Sequence, residues 1–507
     1  MYALLALCLG LVLLTPTLTH AQSALDIPGN GDTLSGIGVI SGWKCEAQGN
    51  ITIRLDAGDP IPATYGFPRG DTAPVCGDDG HNGFFSFFNW AILGDGEHKA
   101  VAYDNGVEFA RSTFTVVTTG EEFVVGARAR VRVPDFPSPG EITWFTWNQS
   151  TQHLEMAAVQ TRAVDQSIVK YLTGLVAEGK SPGLIAAIID EDGVRSLAAT
   201  GIRRQGSSEA LAGSDVVHIG SNTKAMTSTM LATLVADGTF VNGWQTTISQ
   251  VFPELVGEMH PGYHSVTLWQ LTSHTGGVVR DARYWWTHTE LEIQERRYAI
   301  LKENLADPPA GPVGSYLYSN LGYMVAGAMA EKLTGQSWET LMQERLFTPL
   351  GMASAGFGAP GNLNALDQPW GHSRDAGGAW VPSQIDNAAA LGPAGTVHVS
   401  IADWAKFVQL WFPDVVPSIL DRTALTTVIT PKAGEDYAGG WGVGYRAWAA
   451  GNTLNHSGSN GYWYSSLWVA PNRARAYLAV ANSAEPDLNQ THELLDSIIW
   501  SLINHVP

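Results

Sequence analysis

The change of sequence texture near residue 160 is the feature that most constrains the fold. From roughly 25 to 120, short β-rich runs such as 51–55 alternate with turn clusters such as 104–106, a pattern typical of a small β-sandwich. From about 162 onward, helical runs are interleaved with apolar strands, as in an α/β domain. We therefore predict a multi-domain chain with an all-β sandwich-like module over 22–120, a connector or further strands over 121–160, and an α/β (α+β) domain over 161–507.

The larger region is predicted to contain a sheet whose strands come from both of its ends. An amphipathic helix over 164–177 precedes a buried strand over 184–189. Two further strands, 462–469 and 476–480, precede a closing helix over 494–503. Helical patterns dominate the residues between these ends. This order indicates a central sheet flanked by helices.

Composition excludes several classes of function. Apolar residues make up 45% of the 507 residues and charged residues 15%, which indicates a globular protein with a sizeable core. The net charge is −19, from 29 Lys and Arg against 48 Asp and Glu, so the chain does not have the basic surface that nucleic acid requires. We expect no nucleic-acid partner, no cofactor and no metal. His260 and His264 have i, i+4 spacing, but Pro261 and Gly262 break the helix that would align them.

The first 21 residues have the features of a signal peptide. The apolar run 4–14 has the length of a signal-peptide hydrophobic region, and 19–21 (THA) supplies small residues at the cleavage positions. The run is too short to cross a bilayer core of about 30 Å, and no later run is predicted to anchor the chain in a membrane. We expect a periplasmic or secreted protein in which Cys45 and Cys76 form a disulfide. Two free buried thiols are the alternative.

A serine nucleophile is the first catalytic group to consider. The pattern G-x-S-x-G occurs once, around Ser181, but the oxyanion hole of that motif uses the backbone N–H of the next residue, and Pro182 has none. The pattern S-x-x-K begins at Ser41, Ser167 and Ser221. Ser41 lies in the β-rich module and Ser167 inside an ordinary amphipathic helix. Only Ser221 has a reactive context.

Ser221 and Lys224 are the predicted nucleophile and base. Ser221 follows Gly220 and opens a predicted helix, so Lys224 lies one turn further along the same face, where its amine reaches the hydroxyl. The positive end of the helix dipole and burial both lower the pKa of Lys224, which favours the neutral amine that accepts a proton. The alternative is a Ser221 that only caps the helix.

Tyr318 and Asn320 are predicted to join this pair from a later part of the chain. They precede a helical run over 321–333. A phenol beside cationic groups has a depressed pKa, so Tyr318 is expected to act as a base or proton shuttle. An amide offers both a donor and an acceptor, so Asn320 is a predicted substrate-binding residue.

The segment 456–458 (HSG) supplies the third predicted element. It stands at the start of a predicted pair of strands. An edge strand here aligns its free backbone groups with an extended substrate, and the N–H of Ser459 joins that of Ser221 in an oxyanion hole. His456, Gly458 and Ser459 are therefore predicted substrate-binding residues.

Taken in order, these segments resemble the serine beta-lactamase and penicillin-binding-protein superfamily, and within it the class C-like branch. That branch includes D-alanyl-D-alanine carboxypeptidases, D-aminopeptidases and lactamase-like esterases. The segments that carry the resemblance are 218–224 (HIGSNTK), 271–277 (LTSHTGG), 318–320 (YSN), 349–352 (PLGM), 393–395 (PAG) and 456–458 (HSG).

The resemblance implies a fold and a set of roles. The implied fold is an α/β sandwich around an antiparallel sheet, with a helical lobe and a site between the two. By this similarity Ser221 is the acylated nucleophile, and Lys224 and Tyr318 share proton transfer. Asn320 positions the substrate and His456 lines the site. Class C beta-lactamases usually have lysine where His456 stands, and because histidine is mostly neutral at pH 7, the peptidase and esterase members are the closer match.

Three functions are compatible with these residues. The first is an exported serine hydrolase that forms an acyl-enzyme at Ser221 on a small-molecule or peptide-like ester or amide, with esterase activity preferred. The second is a D-amino-acid peptidase, a carboxypeptidase or a weak beta-lactamase that acts on cell-wall-like substrates. The third is an envelope-binding protein without catalysis. The N-terminal module is expected to bind the cell envelope or another protein.

Overall fold

The computed structural model describes residues 22–118 except 79, 130–134, 141–148, 153–161, and 166–505 except 414 and 416. The predicted signal peptide over 1–21 lies outside these residues. The chain divides into two compact units, Met1–Arg162 and Ala163–Pro507. Within the described residues, no helix is both long and apolar enough to cross a membrane.

Most of the described residues of the N-terminal unit lie in strands. The elements are β1 Ser23–Ile27, β2 Thr33–Leu34, β3 Ile37–Lys44, β4 Ile51–Leu55, β5 Ile61–Phe67, α1 Ala73–Cys76, β6 Gly83–Asn89, β7 Gly96–Asp104, β8 Val107–Val116, β9 Arg130–Pro134, β10 Glu141–Asn148 and β11 His153–Thr161. The strands pair in the order β2-β8-β7-β4-β5-β6-β11-β10-β9, with β3 pairing to β1 and β6. The stretch 121–160 therefore contains strands that extend this sheet.

Aliphatic and large aromatic side chains together form the core of the N-terminal unit. Phe84, Trp90 and Phe114 are almost fully buried there, as expected where one face of a sheet packs inward. The Sγ atoms of Cys45 and Cys76 lie 2.10 Å apart and link the end of β3 to α1.

The C-terminal unit combines a central sheet with a lobe of helices. Its strands are β12 Gly183–Asp190, β13 Gly193–Gly201, β14 Val216–His218, β15 Gly356–Phe357, β16 Gly371–Arg374, β17 Trp380–Ser383, β18 Val397–Ser400, β19 Tyr437–Ala438, β20 Trp441–Arg446, β21 Gly451–Ser459, β22 Tyr464–Ala470 and β23 Arg475–Ala481. Its helices are α2 Gln166–Ala177, α3 Thr223–Ala236, α4 Ile248–Val251, α5 Leu268–Thr272, α6 Ile293–Leu305, α7 Asn320–Thr334, α8 Trp338–Met342, α9 Gly392–Gly395, α10 Ile401–Val408, α11 Arg422–Val428 and α12 Leu488–His505.

A seven-stranded antiparallel sheet, in the order β13-β12-β23-β22-β21-β20-β19, forms the centre of this unit. β12 is buried along its whole length, and alternate side chains of a strand lie on opposite faces of the sheet. Ile185 and Ile189 belong to the core of the helical lobe, whereas Leu184 and Ile188 pack with α2 and α12. The predicted fold class is confirmed: a β-rich module precedes an α/β domain with a central antiparallel sheet and a helical lobe.

Helix α3 lies in the middle of the helical lobe. Its residues from Thr223 to Leu234 are all buried, as in a helix that is surrounded by other elements on every side. The turn before α3 lies beside β21 and β22 of the sheet. Asn222, at the start of the helix, donates from Nδ2 to Ser465 Oγ of β22 at 2.9 Å. Ser221 is therefore held at the boundary between the sheet and the helical lobe.

Candidate active site

A short 3-10 turn carries Ser221. The turn, Gly220–Asn222, leads into α3, and Gly220 has a φ of +52°, a left-handed value that suits glycine. The N–H of Gly220 donates to His218 Nδ1 at 3.1 Å. The Nε2 atom of His218 contacts Asp386 Oδ1 at 2.8 Å. A buried histidine and an aspartate thus hold the backbone next to Ser221.

Lys224 is fully buried one turn along α3. Its Nζ lies 3.0 Å from Ser221 Oγ, 2.8 Å from Asn320 Oδ1 and 2.7 Å from the carbonyl oxygen of Ala394. Burial lowers the pKa of Lys224 well below its ordinary value, which is the direction predicted from the sequence. A neutral amine has two N–H groups, which donate to the amide and carbonyl oxygens because these atoms only accept. The lone pair of the amine is left facing the Ser221 hydroxyl.

Tyr318 reaches Ser221 from the segment before α7. Its hydroxyl has a hydrogen-bond interaction with Ser221, and its ring centroid lies 4.9 Å from Lys224 Nζ. The prediction of a depressed phenol pKa is wrong, because burial raises the pKa of Tyr318 above its ordinary value. A neutral amine does not supply the positive charge that would stabilise a phenolate. Tyr318 is therefore a protonated hydroxyl, suited to relaying a proton and not to acting as the base.

His274 holds Tyr318 in position, a role that the sequence did not suggest. The carbonyl oxygen of His274 accepts the N–H of Leu317 at 2.7 Å, and its Nδ1 accepts the N–H of Ser319 at 3.1 Å. The rings of His274 and Tyr318 are 4.3 Å apart between centroids. Burial lowers the pKa of His274 well below its ordinary value, so that Nδ1 is free to accept. The φ of +60° at His274, uncommon for a residue with a side chain, accompanies this double contact.

Asn320, the first residue of α7, connects Lys224 to a surface loop. Its Oδ1 accepts from Lys224, and its Nδ2 donates to Asp281 Oδ1 at 2.8 Å. Beyond these two contacts the amide retains one N–H of Nδ2 and one lone pair of Oδ1, and binding of substrate by Asn320 stays a prediction. No sequence motif identified Asp281 or its neighbour Arg280, since both lie in an irregular loop.

The prediction that 456–458 lies in an edge strand is wrong for the strand as a whole. β21 is interior to the sheet, and β20 pairs with it over 451–455. The pairing of 456–459 is to β22, on the other side. Gly442 and Gly444 interrupt the β-pattern of β20, which explains why the sequence did not predict this neighbour. The half of β21 nearest Ser221 extends beyond the pairing with β20.

Two glycines allow β21 to approach the turn that carries Ser221. A Cβ atom at Gly458 would collide with the carbonyl oxygen of Ile219 and the backbone nitrogen of Ser221, and one at Gly220 would collide with the backbone nitrogen of Ser459. The backbones therefore touch, and the N–H of Ser459 lies next to the turn. This is the arrangement that an oxyanion hole made from these two N–H groups requires.

His456 is a neutral side chain with both ring nitrogens occupied. Its Nδ1 lies 2.7 Å from the carbonyl oxygen of Ser457, which only accepts, so Nδ1 carries the proton. Its Nε2 then accepts from the hydroxyl of Tyr437 at 3.0 Å. Burial, together with the neighbouring Lys224, lowers the pKa of His456 to about 3. The position that is usually lysine in class C beta-lactamases thus holds no positive charge.

A cleft of about 450 Å³ opens onto these groups. Six of the seven catalytic and substrate-binding residues predicted from the sequence line it, and Lys224 is buried beside Ser221. Arg280, whose side chain is 69% exposed, also lines the cleft and lies 5.1 Å from the ring of Tyr318. The lining residues are Ser221, Arg280, Tyr318, Asn320, 456–459, Tyr464 and Leu488.

Comparisons with known proteins identify the family of the chain. The beta-lactamase family model matches residues 168–497. Penicillin-binding protein 4 of Amycolatopsis lactamdurans is 27% identical over 310 residues, which cover 59% of this chain and 80% of that protein. Two other relatives, beta-lactamase-like protein 2 of Dictyostelium discoideum and unguisins hydrolase ungD of Aspergillus violaceofuscus, align over 39% and 42% of their own lengths.

Solved structures share the fold of about two thirds of this chain. The D-amino acid amidase from Ochrobactrum anthropi SV3 has a TM-score of 0.55 at 20% identity and covers 67% of this chain and 98% of its own. The D-alanine carboxypeptidase AmpC from Burkholderia cenocepacia has a TM-score of 0.53 at 20% identity, with 66% and 98% covered. These likenesses concern the fold alone, whereas the family match extends over most of the C-terminal unit. The chain therefore belongs to the beta-lactamase family and is a serine hydrolase of that type.

Proposed function

We propose that this protein is an exported hydrolase that forms an acyl-enzyme at Ser221 on an ester or amide substrate. The observation that carries the proposal is the set of contacts around Lys224. Its Nζ lies within 3.0 Å of two oxygens that only accept and of the Ser221 hydroxyl, so the neutral amine donates its two N–H groups to the first two and directs its lone pair to Ser221. A neutral amine in this position is a general base for a serine nucleophile.

Acylation uses the groups that surround Ser221. Its Oγ bonds to the substrate carbonyl carbon while its proton passes to Lys224 Nζ. The N–H groups of Ser221 and Ser459 stabilise the negative oxygen that develops. As the bond to the leaving group breaks, the proton moves from Lys224 through the Tyr318 hydroxyl to the departing oxygen or nitrogen. Ser221 is then an ester, and Lys224 is again a neutral amine.

Deacylation repeats these steps with water as the nucleophile. A water oxygen bonds to the acyl carbon and its proton passes to Lys224. The bond to Ser221 Oγ breaks, and the proton returns to that oxygen. One water is consumed, an acid is released, and the enzyme regains its starting protonation state.

Uncharged acyl esters are the preferred substrates in this proposal. Burial keeps His456 neutral, and its nitrogens are occupied by Ser457 and Tyr437. The residue at this position therefore offers no cation to a substrate carboxylate. The second candidate is an amide or peptide of a D-amino acid. It is favoured by the fold likeness to a D-amino acid amidase and a D-alanine carboxypeptidase.

Intact-protein mass spectrometry tests the acyl-enzyme directly. The purified protein and its Ser221→Ala variant are exposed in parallel to a fluorophosphonate, a short-chain p-nitrophenyl ester and a β-lactam. We expect added mass on the wild type with at least the fluorophosphonate, and none on Ser221→Ala. Turnover of p-nitrophenyl butyrate but not of D-alanyl-p-nitroanilide supports the esterase, and the reverse result supports the second candidate. A wild type that no probe acylates contradicts the proposal and leaves the non-catalytic, envelope-binding function.

Export is part of the same proposal. It is supported by the apolar run 4–14 and by the proximity of Cys45 and Cys76, because disulfides persist in oxidising compartments. Cell fractionation of the full chain, compared with a variant carrying Leu11→Arg, tests it. We expect the wild type outside the cytoplasm and the variant retained inside. Binding of the N-terminal module to the cell envelope or to another protein stays a prediction, which co-sedimentation of residues 22–507 with purified envelopes would test.

A further inference from the structure

Asp281 stands at the end of a continuous line of hydrogen bonds that begins at Ser221. The line runs from the Ser221 hydroxyl to the Lys224 amine at 3.0 Å, to Asn320 Oδ1 at 2.8 Å, and from Asn320 Nδ2 to Asp281 Oδ1 at 2.8 Å. It therefore joins a hydroxyl, an amine, an amide and a carboxylate. The first three belong to the proposed mechanism, and the carboxylate has no role in it.

The backbone holds Asp281 at this place. Asn320 donates its N–H to the carbonyl oxygen of Arg280 at 2.7 Å. Ser319 donates its hydroxyl to the carbonyl oxygen of Val279 at 2.7 Å. The loop before Asp281 is thus tied to the start of α7. These two hydrogen bonds to the loop backbone keep the Asp281 carboxylate opposite the Asn320 amide.

The orientation of the Asn320 amide decides what the Lys224 amine can do. With Oδ1 toward Lys224, the amide accepts an N–H and leaves the lone pair of the amine to Ser221. If the amide turned by 180°, an N–H of Nδ2 would face Lys224 and occupy that lone pair. The proton of Ser221 would then have no acceptor. A carboxylate only accepts hydrogen bonds, so opposite Asp281 only the first orientation is satisfied.

We propose that Asp281 is a positioning residue, which holds the Asn320 amide in the one orientation that directs the lone pair of Lys224 to Ser221. The inference rests on the function proposed above and extends it to a residue outside every motif. The carboxylate acts through Asn320 and is not itself a proton carrier. Its side chain is 43% exposed, so its substitution leaves the core of the unit intact.

The negative charge of Asp281 gives a second observable, the pKa of Lys224, which is measured separately from the labelling rate. Asp281 raises the pKa of Lys224 and Arg280 lowers it, both against the larger lowering that burial causes. Removal of the negative charge at 281 therefore moves the protonation of Lys224 to lower pH, whereas a purely structural loss at this loop does not. The titratable and charged groups that face Lys224 are Asp281, Arg280, Tyr318, Tyr323, His274 and His456.

The test uses Asp281→Ala and Asp281→Asn in the full chain, with Asp307→Asn as the matched control. Asp307 is a 55% exposed carboxylate that pairs with Arg283 and has no contact with the line. The rate of fluorophosphonate labelling at Ser221 is measured across pH, and the Lys224 titration is followed by NMR of protein labelled with ¹³C at lysine Cε. The Lys224→Met variant lacks this lysine, so the signal that is missing from its spectrum belongs to Lys224. Thermal unfolding verifies that each variant is folded.

We expect labelling of Asp281→Ala to fall about ten- to a hundredfold, the loss that accompanies removal of a hydrogen bond to a charged group. Asp281→Asn, which retains an acceptor but also offers a donor, should show a smaller loss, with the acid limb and the Lys224 midpoint both moved to lower pH. Asp307→Asn should match the wild type in both measurements. Labelling rates and Lys224 midpoints in both Asp281 variants equal to those of the control would overturn the proposal.

Failure of the proposed function is recognised separately. If the wild type is not labelled at Ser221, the acyl-enzyme proposal is contradicted, and the Lys224 titration decides the role of Asp281 alone. An unchanged Lys224 midpoint in Asp281→Asn then overturns the inference. Midpoints lowered equally in Asp281→Asn and Asp281→Ala would reflect the lost charge alone and would overturn it too, whereas a midpoint lower still in Asp281→Ala, which leaves the Asn320 amide without its acceptor, supports the positioning role.

Discussion

Two regions of the C-terminal unit bury a basic side chain completely, and they differ in what surrounds it. Lys224 and Arg297 both have no exposed surface. The three contacts of the Lys224 amine are a hydroxyl, an amide oxygen and a carbonyl oxygen, all neutral. The guanidinium of Arg297 contacts the carboxylates of Glu331 and Glu339.

This difference in partners decides which protonation state each of the two buried side chains adopts. Transfer from water disfavours a charged group, so burial alone lowers the pKa of both side chains. Around Lys224 that effect prevails, and the pKa is well below its ordinary value. Around Arg297 the two carboxylates outweigh burial and raise the pKa. The same fold thus produces a proton acceptor in one place and a permanent cation in the other, because only one of the two sites supplies counter-charges.

Among substitutions at these buried groups, Lys224→Met is expected to have the largest effect. Removal of the general base should lower the rate of Ser221 acylation about 10³- to 10⁴-fold. Stability should change by about 1 kcal/mol or less, because methionine fills the same volume and the lost hydrogen bonds are offset by not burying an amine. The labelling rate of Ser221 and urea unfolding measure the two effects. A variant that retains activity, or that unfolds in buffer, would show that Lys224 is a structural cation like Arg297.

Arg297→Met should show the opposite behaviour. Its loss leaves Glu331 buried without a counter-charge, which typically costs about 3–5 kcal/mol of stability. Burial already raises the pKa of Glu331, and without Arg297 it rises further. A carboxyl whose pKa is raised in the folded state binds more protons there than in the unfolded state, so the variant should gain stability as pH falls. Urea unfolding at several pH values measures this, and the activity of the folded fraction should stay close to that of the wild type.

Asn320→Asp would make the surroundings of Lys224 more like those of Arg297. A carboxylate 2.8 Å from the amine should raise the pKa of Lys224, because a negative charge favours the protonated amine. The amine then stays protonated to higher pH, and the acid limb of kcat/KM moves to higher pH with it. Asn320→Ala is the control, because it removes the hydrogen bond without adding charge. An acid limb that moves equally in both variants would contradict the electrostatic explanation.

The parts of the site that depend on short-range spacing were predictable from the sequence. Ser221 and Lys224 are three residues apart at the start of a helix, so their contact follows from helical geometry. The order of the motifs along the chain also identified Tyr318, Asn320 and His456 as site residues, and all three line the cleft. These features depend on local structure or on ordered motifs, which the sequence carries directly.

The remaining features depend on tertiary contacts that no spacing encodes. Asp281 meets Asn320 only because an irregular loop is tied to α7. The raised pKa of Tyr318 results from its half-buried position in the cleft, which cannot be obtained from a triplet of residues. The partner of β21 was missed because two glycines weaken the pattern of β20.

His456 extends the comparison to a third buried basic group and gives the smallest expected change. Like Lys224 it has neutral partners, Ser457 and Tyr437, and burial lowers its pKa to about 3. The ring is therefore neutral throughout the range from about pH 5 to 8 in which histidine ordinarily titrates. His456→Gln should leave the position of every limb of the kcat/KM profile in that range unchanged, even if the rate itself differs. A limb near pH 6 that disappears in His456→Gln would mean that the imidazole ring gains a proton there, and hence that the cleft stabilises a positive charge at the position where class C enzymes usually have lysine.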